Sequence, residues 1–170
     1  MRHNQLAASI TFNRTPDAIM TAFQAIERWS EWYPGVVGAH WIVGEAWEIG
    51  AVMEVRVRNS LGMLVGSTAT VLPVGNQILG QDALEGSPDP GRDLAIPPAH
   101  FCCWENRAPG LVTVCYAWAE ATAQGSRFTL QKHYSGLAVP LLWLMKGRQA
   151  WMVQEALENL QRNISSAVRG

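Results

Sequence analysis

Near Pro140 the sequence changes period. Before it, six apolar stretches read as strands in succession: His40–Val43, Ala51–Arg58, Met63–Leu72, His100–Asn106, Leu111–Glu120 and Ser126–Tyr134. In Ala51–Arg58 the alternation is clean, with Met53, Val55 and Val57 on one face and Glu54, Arg56 and Arg58 on the other. After Pro140, Leu141, Leu144, Met145, Met152, Val153, Ala156, Leu157, Leu160 and Ile164 recur at helical spacing to about Ser166. Such a helix, of about 27 residues, spans roughly 40 Å. Short turns such as Asn59-Ser60-Leu61-Gly62 and Gln124-Gly125 join neighbouring strands, and short joins make neighbours antiparallel. A sheet with one dry face has to be matched by the dry stripe of the helix. A sheet this wide twists and curves. A straight helix laid across it touches unevenly, which leaves room for a cavity.

The amino-terminal part adds one strand and two helices. QLAASITF at 5–12 reads as a first strand. Thr15 then suits a helix N-cap, Pro16 the first helical position, and Asp17 the positive end of the dipole. Ile19, Ala22, Phe23 and Ile26 carry that helix to about Glu27, and the aromatic segment RWSEWYPG forms a second, short helix. The expected class is α+β, with a curved seven-stranded antiparallel sheet wrapped around the long carboxy-terminal helix. Residues 85–98 hold four Pro and two Gly and are expected to be a long surface loop.

Composition narrows the function. The length of 170 residues suits one domain, 1–170, with a sizeable core. Hydrophobic residues make up 48% and charged residues 16%, and the formal net charge is −1, which argues against disorder and against nucleic acid as a partner. No stretch of 18 or more apolar residues offers a membrane span. Cys102, Cys103 and Cys115 match no zinc or redox spacing and are expected to be reduced thiols in a cytoplasmic protein. No cofactor or metal is expected: His3, His40, His100 and His133 are scattered, and no nucleophile elbow, phosphate loop or dinucleotide fingerprint is present.

Several pieces together resemble a known superfamily. They are TPDAIMTAFQAIERWSEWYPGV after the first strand, WENRAPG with the hairpin that follows, RFTLQKHYSGLAVPLL, and EALENLQRNI. In this order they are similar to the START-type helix-grip superfamily (SRPBCC), and within it to the polyketide cyclase/dehydrase branch. The resemblance covers nearly the whole chain and departs at the extra loop near 83–99. It implies the helix-grip fold and a cavity between sheet and helix. It brings no shared catalytic motif. It also implies that Trp104 looks inward and that Trp32 and Tyr33 close one end of the cavity, as a gate or as packing.

Strand parity supplies the remaining candidates. Phe128, Leu130, Lys132 and Tyr134 share the more apolar face of their strand, so Lys132 is a cation among apolar neighbours. Val112, Val114, Tyr116 and Trp118 form the bulkier face of the preceding strand, and that face is expected inside. Met53, Val55, Tyr116, Trp118, Phe128, Leu130, Met145 and Met152 are expected to border the pocket, with Met suited to irregular space. Lys132 then pairs with a carboxylate, reaches water at the mouth, or meets an anionic or enolate-forming ligand. Trp143 and Trp151 flank the buried stripe or form an interface, so a homodimer stays open. The leading expectation is a binder of a hydrophobic small molecule: a lipid, an isoprenoid or quinone, or a polyketide-like ring. The alternatives are an aromatase/cyclase promoting aldol closure and dehydration, with Lys132, Tyr116 and Tyr134 as its acid, base or enolate-stabilising groups, and a protein-binding module.

Overall fold

The computed structural model describes residues 4–58, 62–73 and 100–166. Strand β1 (Gln5–Phe12) leads into helix α1 (Pro16–Gln24), a 3-10 turn (Ile26–Arg28) and helix α2 (Trp29–Trp32). Strands β2 (Val36–Val43), β3 (Val52–Arg58), β4 (Leu64–Val71), β5 (Phe101–Ala108), β6 (Leu111–Thr122) and β7 (Gly125–Ser135) follow, then helices α3 (Val139–Leu144) and α4 (Lys146–Ser166). The seven strands form one antiparallel sheet in the order β1-β7-β6-β5-β4-β3-β2. Every neighbour in it except the β1–β7 pair is also a neighbour in sequence. The expected loop at 85–98 lies outside the described residues.

Helix α1 starts where its sequence says. Thr15 has extended backbone, and its Oγ1 accepts from the Ala18 N–H at 3.4 Å, with Pro16 at the first position. It stops at Gln24, short of the expected Glu27. The last carbonyls of a helix lack intrahelical partners, and here two indoles supply them. Trp29 Nε1 donates to the Phe23 carbonyl at 2.7 Å, and Trp47 Nε1 donates to the Gln24 carbonyl at 2.8 Å. Trp47 does this from a left-handed backbone conformation, φ 62°, which costs a non-glycine residue about 1–2 kcal/mol.

These indoles belong to an aromatic core. The Phe23 ring lies 5.6 Å from Trp29, 6.0 Å from Trp32, 6.1 Å from Trp47, 5.9 Å from Trp104 and 5.1 Å from Phe128, centroid to centroid. Val153, Ala156, Leu157, Leu160 and Ile164 of α4 close over this core.

The carboxy-terminal helix is not the single rod expected from Pro140. It breaks between α3 and α4. Met145 N–H bonds to the Leu142 carbonyl, a tighter three-residue step, and Gly147 follows at once, where helix propensity is low. As a result Leu141, Leu144 and Met145 are exposed rather than part of the buried stripe.

Candidate functional site

The inner face of the sheet is filled unevenly. At one end, Phe12, Phe128 and Leu130 are buried in the aromatic core. At the other end the inward residues are short: Ser67 on β4, Asn106 on β5, Thr113 and Cys115 on β6. The helix break lies opposite them. Between the two is a pocket of about 420 Å³. Leu142, Met145, Gln149, Met152 and Val153 form its helical wall, and Trp29, Tyr33 and Trp104 its aromatic wall. Val36, Val55, Val57 and Leu111 add apolar strand surface.

Lys132 sits on that inner face. Its cross-strand neighbours are Leu6 on β1 and Cys115 on β6. Nζ donates to Tyr33 Oη at 2.7 Å and lies 5.4 Å from the centre of the Tyr33 ring. The side chain is only partly covered because it lines the pocket. Among the described residues no carboxylate lies within 4.0 Å of it. Burial works against the ammonium; the pull that raises Lys132 above an ordinary lysine comes from Tyr33, Cys115 and Tyr134 in their ionised forms and is absent while they are neutral. The same burial pushes the Cys115 thiol up to about 11 and the Tyr134 phenol up to about 12, with Lys132 pulling both partly back. Both are therefore neutral donors at neutral pH. Among the described residues no three His, Cys, Asp or Glu side chains converge to hold a metal ion.

Of the residues singled out from sequence, Tyr33, Val55, Trp104, Lys132, Tyr134, Met145 and Met152 line the pocket. Trp32, Met53, Phe128 and Leu130 face the same side of the sheet, but they are sealed in the aromatic core and do not reach the pocket wall. Tyr116 and Trp118 are a correction. The register pairs Tyr116 with Gln131 and Trp118 with Thr129, so both lie on the opposite face of the sheet from Lys132. There they pack with Phe101, Cys103 and Val114 in a separate buried cluster, Phe101 stacked on Trp118 at 6.2 Å. Bulk misled the parity argument because the outer face of β6 is also buried. Its inner face carries Thr113, Cys115, Ala117 and Ala119, small residues that give α1 and the pocket their room. Glu105 and Arg107 of β5 form an ion pair.

Arg58 and Arg148 also line the pocket, and sequence reasoning missed both. Arg58 had been placed on the wet face of β3 by strict alternation. The signal that would have found it is its place as the last residue of β3.

No protein-family model matches the sequence, and no curated protein is significantly similar to it. Solved structures do match. The di-domain ARO/CYC StfQ from the steffimycin biosynthetic pathway superposes with a TM-score of 0.70 at 9% identity, over 99% of this chain and 54% of that one. A START superfamily protein from Mycobacterium smegmatis gives 0.64 at 8% identity, over 96% and 99%. Ara h 8.0201 gives 0.61 at 12% identity, over 95% and 97%. With its seven-stranded open sheet, short helices after β1 and long terminal helix gripped by the strands, the chain has the START-type helix-grip fold.

Proposed function

We propose that this protein binds a hydrophobic small molecule in the pocket between the inner face of the sheet and helices α3 and α4. The observation that carries the reading is the pocket itself. Its volume of about 420 Å³ falls within the range of roughly 300–1,000 Å³ usual for small-molecule sites. Its wall is mostly aromatic and aliphatic, with a few polar groups at defined places, the usual form of such a site. Met145 and Met152 stand on the helical side, where flexible side chains adapt to ligands of differing outline.

The second reading is an aromatase/cyclase-type enzyme, which the likeness to StfQ and the Lys132–Tyr33 pair favour. Aldol closure needs a base to take a carbon-bound proton. Among the described residues no Asp, Glu or His lines the pocket, and the Lys132 amine is already engaged with Tyr33 Oη. The chemistry present suits holding a molecule better than deprotonating it.

The test is titration with N-phenyl-1-naphthylamine, an uncharged apolar fluorophore, beside mass spectrometry of a denatured extract of the purified protein. Trp29 and Trp104 line the pocket, so a fluorophore bound there quenches tryptophan emission. Saturable binding at one molecule per chain is the expected result. An absence of saturable binding, with no co-purifying apolar molecule, overturns the proposal.

A further inference from the structure

The charge on the pocket wall is one-sided. Among the described residues its charged members are Arg58, Lys132 and Arg148, all cations, and no carboxylate is among them. Yet the chain as a whole has 14 acidic and 13 basic residues. Arg58 and Arg148 are exposed, and Arg58 is engaged with the Gly62 carbonyl at 3.3 Å. Lys132 is the inner cation. A buried ammonium is tolerated when it pairs with a carboxylate, reaches bulk water, or meets an anion brought by a ligand. No carboxylate pairs with it among the described residues, and the head is turned onto Tyr33 within the pocket rather than stretched out to the surface.

The hydrogen-bond accounting points the same way. Lys132 has three N–H donors, and one is given to Tyr33 Oη. Because Tyr33 accepts there, its own O–H proton is left to donate elsewhere. Tyr134 lines the same pocket with a neutral phenol. Several donors therefore share one apolar pocket, with no carboxylate among them. The complement of such a set is an oxygen anion, and charge-assisted hydrogen bonds are the stronger kind.

Resting on the reading of the pocket as a hydrophobic site, we propose that its ligand is an amphipathic oxyanion whose charged oxygen sits on Lys132 Nζ and Tyr33 Oη, its apolar body lying along Trp29, Trp104 and Met152. The charged oxygen belongs to a carboxylate on an aliphatic chain or to an ionised enol on a ring. The donors are the same for both.

Competition against bound N-phenyl-1-naphthylamine tests this. The competitors are decanoate with its neutral partners methyl decanoate and decan-1-ol, and ionised 4-hydroxycoumarin with neutral coumarin. A hydrogen bond to a charged group corresponds to about tenfold to a hundredfold in affinity. At least one anion is expected to displace the fluorophore that much better than its neutral partner. Preference for decanoate assigns the chain carboxylate, and preference for 4-hydroxycoumarin the ring enol. Lys132→Met, of similar length, should lose the preference, read as the ratio of anion to neutral displacement within that variant, while Lys132→Arg should keep most of it. Equal displacement by anions and neutral partners overturns the proposal while leaving the apolar pocket intact. So does a preference that survives in Lys132→Met or disappears in Arg148→Gln. Failure of the fluorophore to bind wild type overturns the pocket reading and this one with it.

Discussion

Replacing Phe23 with alanine removes the ring on which five others converge. Phe23 is 1% exposed and its neighbours come from α2, β5, β7 and the segment after β2. Truncating a buried Phe to Ala costs about 3–5 kcal/mol, depending on how far the site collapses. Collapse is hard here, because the neighbours are large rings held from the backbone. Trp29 and Trp47 are each fixed by an indole hydrogen bond to the end of α1. The loss should therefore lie at the upper end, about 5 kcal/mol, a large part of the roughly 5–15 kcal/mol that holds a domain together. At about 2–4 °C per kcal/mol for a chain of this size, the melting temperature falls by roughly 10–20 °C. Urea unfolding followed by circular dichroism and tryptophan emission gives the free energy. Phe23→Leu, which keeps most of the volume, should lose only about 1–1.5 kcal/mol. Trp151 is 58% exposed, so Trp151→Ala should stay within about 0.5 kcal/mol of wild type. A Phe23→Ala loss below about 2 kcal/mol, or a Trp151→Ala loss as large, would refute the view that stability is concentrated in this cluster.

Two glycines should respond in opposite directions in the same urea assay. Gly136 has φ +109°, and a Cβ there would stand 2.5 Å from the Gly110 carbonyl oxygen, so Gly136→Ala should lose more than about 1 kcal/mol. Gly147 is helical with open space around it, so Gly147→Ala should gain about 0.5–1 kcal/mol. Alkali should weaken the fold. Burial raises Cys102 to about 12, Cys115 to about 11 and Tyr134 to about 12, from ordinary values of 9.0, 9.0 and 10.0. The unfolded chain gives up these protons first and binds fewer of them, so stability is complete below about pH 8 and falls as pH climbs from about 9 toward 12. Urea midpoints at a series of pH values read this directly, and a flat or rising profile above about pH 9 contradicts it.

The parts of the fold fixed by local rules were legible in the sequence. Thr15-Pro16-Asp17 announces α1 through capping chemistry, and β3 and β7 show their faces because one side of each is plainly apolar. Lys132 was placed on the inner face on that ground alone. What local rules miss is competition from distant groups. Helix α1 ends early because Trp29 and Trp47 take over its last carbonyls, and nothing in the helical period signals that. Strand β6 is apolar on both faces, so bulk was a poor guide, and the smaller face proved to be the one that opens the pocket. The continuous apolar stripe after Pro140 hid a break, because Leu141 and Leu144 suit a buried helix and yet face outward.

The pairing of β1 with β7 sets an order on folding. Ser9 lies opposite Thr129 and shares a hydroxyl hydrogen bond with it across 120 residues of chain. Strands β2 to β4 and β5 to β7 join near neighbours and can zip as hairpins when made, but β1 has no partner until β7 exists. At about 5–20 residues per second, the wait during synthesis is roughly 6–24 s. Throughout it the apolar strand Gln5–Phe12 is present with a bare edge, the state most prone to mispairing. Helix α4 is made later still, and it packs across β1. Closure of the sheet and seating of the helix therefore fall together only once the chain has been made through α4, so the pocket is finished by the same late event that first makes this fold stable.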